Sequence, residues 1–277
     1  MAPLALVTGA SSGIGRACAQ HLSSLGFHVL AGVRNEADAP PGLEAVRLDV
    51  TSEADVAAVG ERVGAELGAL VNNAGIAIMG PVEGVPIADW RRQMEVNVIG
   101  QIAVTRALLP ALVRGRGRVV NMCSIGGRVA MPLFGPYSAS KFALEAVTDA
   151  LRRELAQHGV KVVAVEPGAI ATPIWDKGLA EAQERLDAMP PDVPRRYERL
   201  IAAVRGAARN MGEEGLPAEA VAEVVGRAVT SRRPRTRYVI GREARVQAVL
   251  ARLLPDRAFD ALIRRALTSG GRSGARG

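Results

Sequence analysis

Three side chains between residues 121 and 141 have the types and spacing for proton-transfer chemistry: Ser124, Tyr137 and Lys141. Tyr137 and Lys141 are four residues apart, which on a helix places them on one face, one turn from each other. An ammonium that close favours the phenolate, so the spacing predicts a Tyr pKa lowered from about 10 toward neutrality. Such a phenol can give or take a proton at an oxygen whose bonding changes, and the Ser124 hydroxyl can hold that same oxygen. The plainer alternative is that Tyr and Lys share a helix by chance while a strand-end Ser satisfies backbone groups.

The elements that must position these groups are legible around them. Arg118-Val119-Val120 is the β-branched run of a buried strand ending just before Ser124, and Pro136 opens a helix over residues 137–157. At the start of the chain, residues 4–7 read as a first strand. It leads into Thr8-Gly9-Ala10-Ser11-Ser12-Gly13-Ile14-Gly15 and then a helix to about Leu25. Strand, glycine turn and helix make an anion cradle, because glycine admits a phosphate to the backbone and the first helical amides face it. The spacing Gly-x-x-x-Gly-x-Gly departs from the Gly-x-Gly-x-x-Gly dinucleotide fingerprint.

Further strands are expected at 27–32, 43–48, 69–71, 160–165 and 236–240, with helices at 55–67 and, past Asn97, at 87–112. The second strand ends at Val33-Arg34, where a nucleotide-binding fold meets the adenosine ribose. Arg suits a 2′-phosphate, so Arg34 points to NADP, with a solvated loop residue as the other reading. Asn72-Asn73-Ala74-Gly75 after the fourth strand fits a ligand crevice or an ordinary turn. Asn97, unfavourable inside a helix, has either a specific hydrogen-bonding task or a solvent-facing position.

Strands alternating with helices predict an α/β, doubly wound parallel sheet of about seven strands in a single domain. In such a sheet ligands bind outside the strands' carboxyl ends. The glycine turn, the Asn pair, Ser124, Tyr137 and Pro167-Gly168 all fall at those ends.

This combination resembles the short-chain dehydrogenase/reductase family over about residues 3–175: Thr8-Gly9-x-x-x-Gly13-x-Gly15, Asn72-Asn73-Ala74-Gly75, Asn97, Ser124, Tyr137-x-x-x-Lys141 and Pro167-Gly168. The resemblance implies that Tyr137 is the general acid/base, that Ser124 positions the substrate oxygen, and that Lys141 lowers the Tyr pKa and binds the nicotinamide ribose. It implies that Asn97 holds a water linking Lys141 to solvent. Gly9, Ser11, Ser12, Gly13, Ile14 and Gly15 would hold the cofactor phosphates, and Asp49 and Val50 the adenine. Asn73, Ala74 and Gly75 would line the cleft; beyond Pro167-Gly168, Ile170 and Thr172 would hold the carboxamide and phosphates. Cys123 stands where small hydroxyl residues are frequent.

Within the family, Ser-Ile-Gly-Gly-Arg at 124–128 and Thr172-Pro173-Ile174-Trp175 look like members acting on steroids, retinoids or other bulky apolar compounds. Met131, Phe134 and Trp175 are the candidate substrate contacts, though each could be core. The expected activity is NADP-dependent interconversion of a ketone or aldehyde and its alcohol, with NADPH preferred and NAD the alternative cofactor. A non-catalytic dinucleotide sensor or scaffold on the same fold is the competing reading.

Composition narrows the partners. Hydrophobic residues make up 48% of the 277, enough for a sizeable core. Cys18 and Cys123 have no pairing framework, and His21, His28 and His158 have no ligand spacing, so no metal is expected and a cytoplasmic location is. No apolar run reaches the length of a membrane span. The formal net charge of +7 is uneven: residues 195–277 hold 18 Lys and Arg against 8 Asp and Glu. No nucleic-acid module accompanies them, and a nucleic-acid partner is not expected.

The family places a variable substrate lid at 176–215 within a domain spanning 1–241. A helical extension over 242–268 carries two apolar stripes: Val246, Val249, Leu250, Leu253 and Leu254, then Phe259, Leu262, Ile263 and Leu267. Packing on the lid or a second subunit is expected for these stripes, ahead of an anionic membrane surface. Residues 269–277 are expected to be disordered, and a homodimer or homotetramer is anticipated.

Overall fold

The computed structural model describes residues 2–270, with backbone alone at 268–270. Seven parallel strands form one sheet in the order β3-β2-β1-β4-β5-β6-β7. They are β1 Leu4–Thr8, β2 His28–Val33, β3 Glu44–Arg47, β4 Ala69–Asn72, β5 Arg118–Met122, β6 Lys161–Pro167 and β7 Arg237–Ile240. The strand order reverses between β1 and β4, and the crevice that this opens lies beyond their carboxyl ends.

The strands are apolar on both faces because helices cover both. On one side, α1 (Gly13–Ser24) and α9 (Ala218–Thr230) bury Ala5, Val7, Val29 and Val165 together with Cys18, Leu22, Val221 and Val225. On the other, α2 (Glu53–Val63), α4 (Gly100–Arg114) and the end of α5 (Gly135–Leu155) cover Leu6, Leu30, Leu70, Val119 and Val162. Alternate residues of a strand thus enter different cores. Both cysteines are free and buried, and burial pushes the Cys18 thiol up to about 12.

The expected helix across Asn97 is interrupted. It comprises α3 (Ile87–Met94), a π-helical turn over Glu95–Ile99, and α4. By length and composition Ile87–Arg114 is able to cross a membrane, although no unbroken apolar run of that length occurs in the sequence. Gln93, Asn97, Gln101 and Thr105 are all buried on it and bond to the protein, which makes it a core helix.

The stretch expected as a lid is more regular than its Pro and Gly content suggests: α6 (Ile174–Asp187), α7 (Asp192–Arg196) and α8 (Glu198–Glu213). Arg185 fastens α6 to Asp89 at 2.6 Å and to the Met79 carbonyl, and Arg196 bonds Glu83 at 2.6 Å. The extension forms α10 (Arg242–Leu253) and α11 (Asp256–Gly270), so the helix continues past the expected start of disorder at Ser269; residues 271–277 lie outside the described chain. α11 packs on α8.

In the first apolar stripe Leu250 and Leu254 are half-buried, and the other three residues are not covered by this chain. Val246, Val249 and Leu253 face outward at 51, 55 and 71% exposure, while Ala244 is the buried residue of α10. The cause is steric: a Cβ on Gly168 would sit 2.9 Å from the Ala244 Cβ, so only a small side chain fits between α10 and the end of β6.

Candidate active site

The glycine turn closes against the residues after β4. Gly9 has φ +66°, and a Cβ there would stand 2.9 Å from Cα of Ala74, so both conformation and space require glycine. A Cβ on Gly15 would overlap the Gly9 carbonyl and the Asn73 amide. Thr8 supplies the fastening. Its buried hydroxyl accepts the backbone N–H groups of Asn73 and Ala74, both at 2.9 Å, and Asn73 Nδ2 donates to the Thr8 carbonyl at 3.0 Å.

Ser12 precedes α1, yet its side chain makes no capping bond, and no acidic residue occupies the first turn. The first amides of that helix are therefore left for an external acceptor, which fits a dinucleotide phosphate. Ser11 and Ile14 belong to the same turn and helix start, and Thr172 stands 3.2 Å from where a Gly13 Cβ would be. Arg34 is exposed just beyond β2. Its charge and the two Thr51 bonds outweigh the burial of Asp49 and hold that carboxyl below its usual range.

Other expected cofactor residues take different positions. Val50 is buried in the core beneath Gly100, and the Ile170 side chain is buried in the opposite core. These two can therefore address a cofactor by their backbone. Gly75 lies against Asn97 Oδ1, and Gly168 serves the approach of α10, with its amide bonded to the Ile240 carbonyl.

Ser124, Tyr137 and Lys141 converge as the spacing demands. The Ser124 hydroxyl accepts the Gly126 amide at 3.0 Å. Lys141 is buried, its Nζ donates 2.7 Å to the Met122 carbonyl, and it lies 5.8 Å from the centre of the Tyr137 ring. The direction of the Tyr pKa corrects the expectation: burial raises it above its ordinary value, against the opposing bond from Ser124. Burial likewise lowers Lys141, against the opposing influence of Cys123 and Glu145.

Asn97 is wholly buried and its side chain is spent on the protein. Oδ1 accepts the Ile76 amide at 2.9 Å, and Nδ2 donates to the Ile76 carbonyl and to Ser140 Oγ. These bonds hold the segment after Gly75 against α5. Sequence reasoning missed the partners of Asn97: Gln93, four residues earlier, bonds Ile78 and Ile76, and Ser140 returns a bond to the Tyr137 carbonyl. The signal available was two amide side chains four apart on one helix.

Arg128, which closes the Ser-Ile-Gly-Gly-Arg run, pairs with the fully buried Glu166 at 2.6 Å and clamps the Ser124 loop to the end of β6. Phe134 completes the site, edge-on to Tyr137 at 6.3 Å and to Trp175 at 6.4 Å, with the Trp175 indole fixed to the Ile170 carbonyl at 2.8 Å. Met131 is half-buried nearby in sequence, and Leu133 is held at φ +66° with its carbonyl bonded to Gly80.

Fold and glycine turn define a dinucleotide-binding α/β protein. Comparison with known proteins narrows the class. The family model "short chain dehydrogenase" matches residues 3–184. The chain is 36% identical over 273 residues to an NADPH-dependent 3-dehydrocapnine reductase of Ornithobacterium rhinotracheale, covering 92% of this chain and 94% of that one. It is 38% identical over 277 residues to mouse (Mus musculus) retinol dehydrogenase 5, covering 93% and 86%. A short-chain dehydrogenase from Burkholderia cenocepacia J2315, solved in complex with NADP, superimposes with a TM-score of 0.74 at 29% identity, covering 96% of this chain and 98% of that one. The chain belongs to the short-chain dehydrogenase/reductase family and is an oxidoreductase.

Proposed function

We propose that the chain reduces a ketone or aldehyde on a bulky apolar substrate to the alcohol, with Tyr137 as general acid. The observation that carries this reading is the aromatic run in which Phe134 lies edge-on to the Tyr137 ring and Trp175 edge-on to Phe134, offering apolar surface next to the phenol. The naming of relatives for a 3-dehydrocapnine reductase and a retinol dehydrogenase supports an extended apolar substrate.

NADPH, when bound, supplies the hydride. Ser124 directs the carbonyl oxygen toward the phenol, and Tyr137 delivers its proton to that oxygen as negative charge develops there. Lys141 holds positive charge beneath the phenol and replenishes its proton. Gly9, Ser11, Ser12, Gly13, Ile14, Gly15 and Thr172 hold the phosphates, Arg34 the 2′-phosphate, and the Asp49–Val50 backbone the adenine. Asn73, Ala74 and Gly75 line the cleft, and Met131 joins Phe134 and Trp175 around the substrate. The lid at 176–215 belongs to the same domain, and a homodimer or homotetramer is part of the same reading.

The test is oxidation of NADPH and NADH across small, aromatic and polycyclic ketones and aldehydes, with Tyr137→Phe beside the unaltered chain. Turnover should favour NADPH and the bulky apolar carbonyls and vanish in Tyr137→Phe while NADPH still binds. Full activity in that variant, or preference for small polar carbonyls, would overturn the reading.

A further inference from the structure

The outward face of α10 has no counterpart in the catalytic reading. Val246, Val249 and Leu253 are spaced three and four apart and form one row, with Arg242 at its head. Arg245 and Arg252, seven apart, flank the row, and Glu243 is the single carboxylate among the twelve residues of the helix. Arg257 follows at the start of α11. Val246, Val249 and Leu253 are turned away from the protein, while Ala244 faces it and Leu250 is half-buried.

We infer that this face of α10 docks on an anionic lipid surface. An apolar row bordered by arginines matches the layered chemistry of a bilayer interface, where acyl chains lie beneath phosphate groups. Charge chooses lipid over a second copy of the chain. A two-fold pairing across this row would set one net-positive helix, with three Arg against one Glu, beside another, whereas anionic headgroups neutralise it. The site is independent of the catalytic crevice and of the substrate reading.

The full chain should co-sediment with vesicles of phosphatidylcholine mixed with phosphatidylglycerol, bind vesicles of phosphatidylcholine alone far less, and release as salt is raised. V249E/L253E and R242S/R252S should each lower binding to the mixed vesicles by about tenfold or more, with circular dichroism and NADPH affinity unchanged. If the exchange at Val249 and Leu253 harms folding, R242S/R252S decides by itself. No binding to mixed vesicles, or binding that both variants keep, overturns the inference. So does a dimer in solution that V249E/L253E dissociates, since the face would then be a subunit interface.

Discussion

The Lys141 ammonium reaches from α5 to the carbonyl of Met122, 2.7 Å away, at the end of β5. One bond thus ties the helix that carries Tyr137 to the strand that delivers Ser124, and buries a charge between them.

Lys141→Met should lower turnover by about 100-fold or more, the scale of a general acid–base contribution. Removing the donor also leaves a buried carbonyl unpaired, at a cost of about 1–3 kcal/mol. Steady-state kinetics and thermal unfolding of the same preparation separate the two effects. Turnover near that of the unaltered chain would exclude Lys141 from proton transfer.

Burial raises the Tyr137 pKa and so favours the protonated phenol. Reduction consumes that proton, and its rate should stay level from about pH 6 to 9 and fall only on the alkaline side. Oxidation needs the phenolate and should rise with pH over the same interval. Rates measured in both directions decide the matter. A reduction rate that declined through neutrality would mean that the phenol titrates there, as its spacing from Lys141 alone suggests.

Arg34→Ala should weaken NADPH far more than NADH, by about tenfold or more, because a charge-assisted bond to a 2′-phosphate has no equivalent on a free hydroxyl. Fluorescence titration with each cofactor measures it. Equal losses for both would remove Arg34 from the phosphate.

Thr8→Val keeps the shape at the end of β1 but removes the acceptor of two amides, those of Asn73 and Ala74. Two unpaired N–H groups should cost about 2–4 kcal/mol, or a Tm lower by roughly 5–10 °C in a chain of this size. NADPH binding should weaken as well, since the same bonds hold the crevice against the glycine turn. An unchanged Tm would show that water replaces the hydroxyl.

How far the sequence reaches depends on the range of the interaction concerned. Residues 4–15 read as strand, glycine turn and helix, and the seven strands were all legible, because periodicity and turn chemistry are local properties. The convergence of Gly9, Asn73, Ser124 and Tyr137 followed from topology, since a doubly wound sheet gathers its strand ends. Gln93 and Ser140 were not legible as partners of Asn97: nothing in their spacing says that Ile76 and Ile78 pass between those helices.

The sequence by itself determined the order of the elements, the glycine turn, and the one-turn separation that lets Tyr137, Lys141 and Ser124 meet. Tertiary structure alone decided the direction of the Tyr137 pKa and the outward turn of Val246, Val249 and Leu253. The first depends on how much water the surrounding chain excludes, and the second on how closely Gly168 lets α10 approach. Both are set by distances between segments far apart in sequence, which no local pattern encodes.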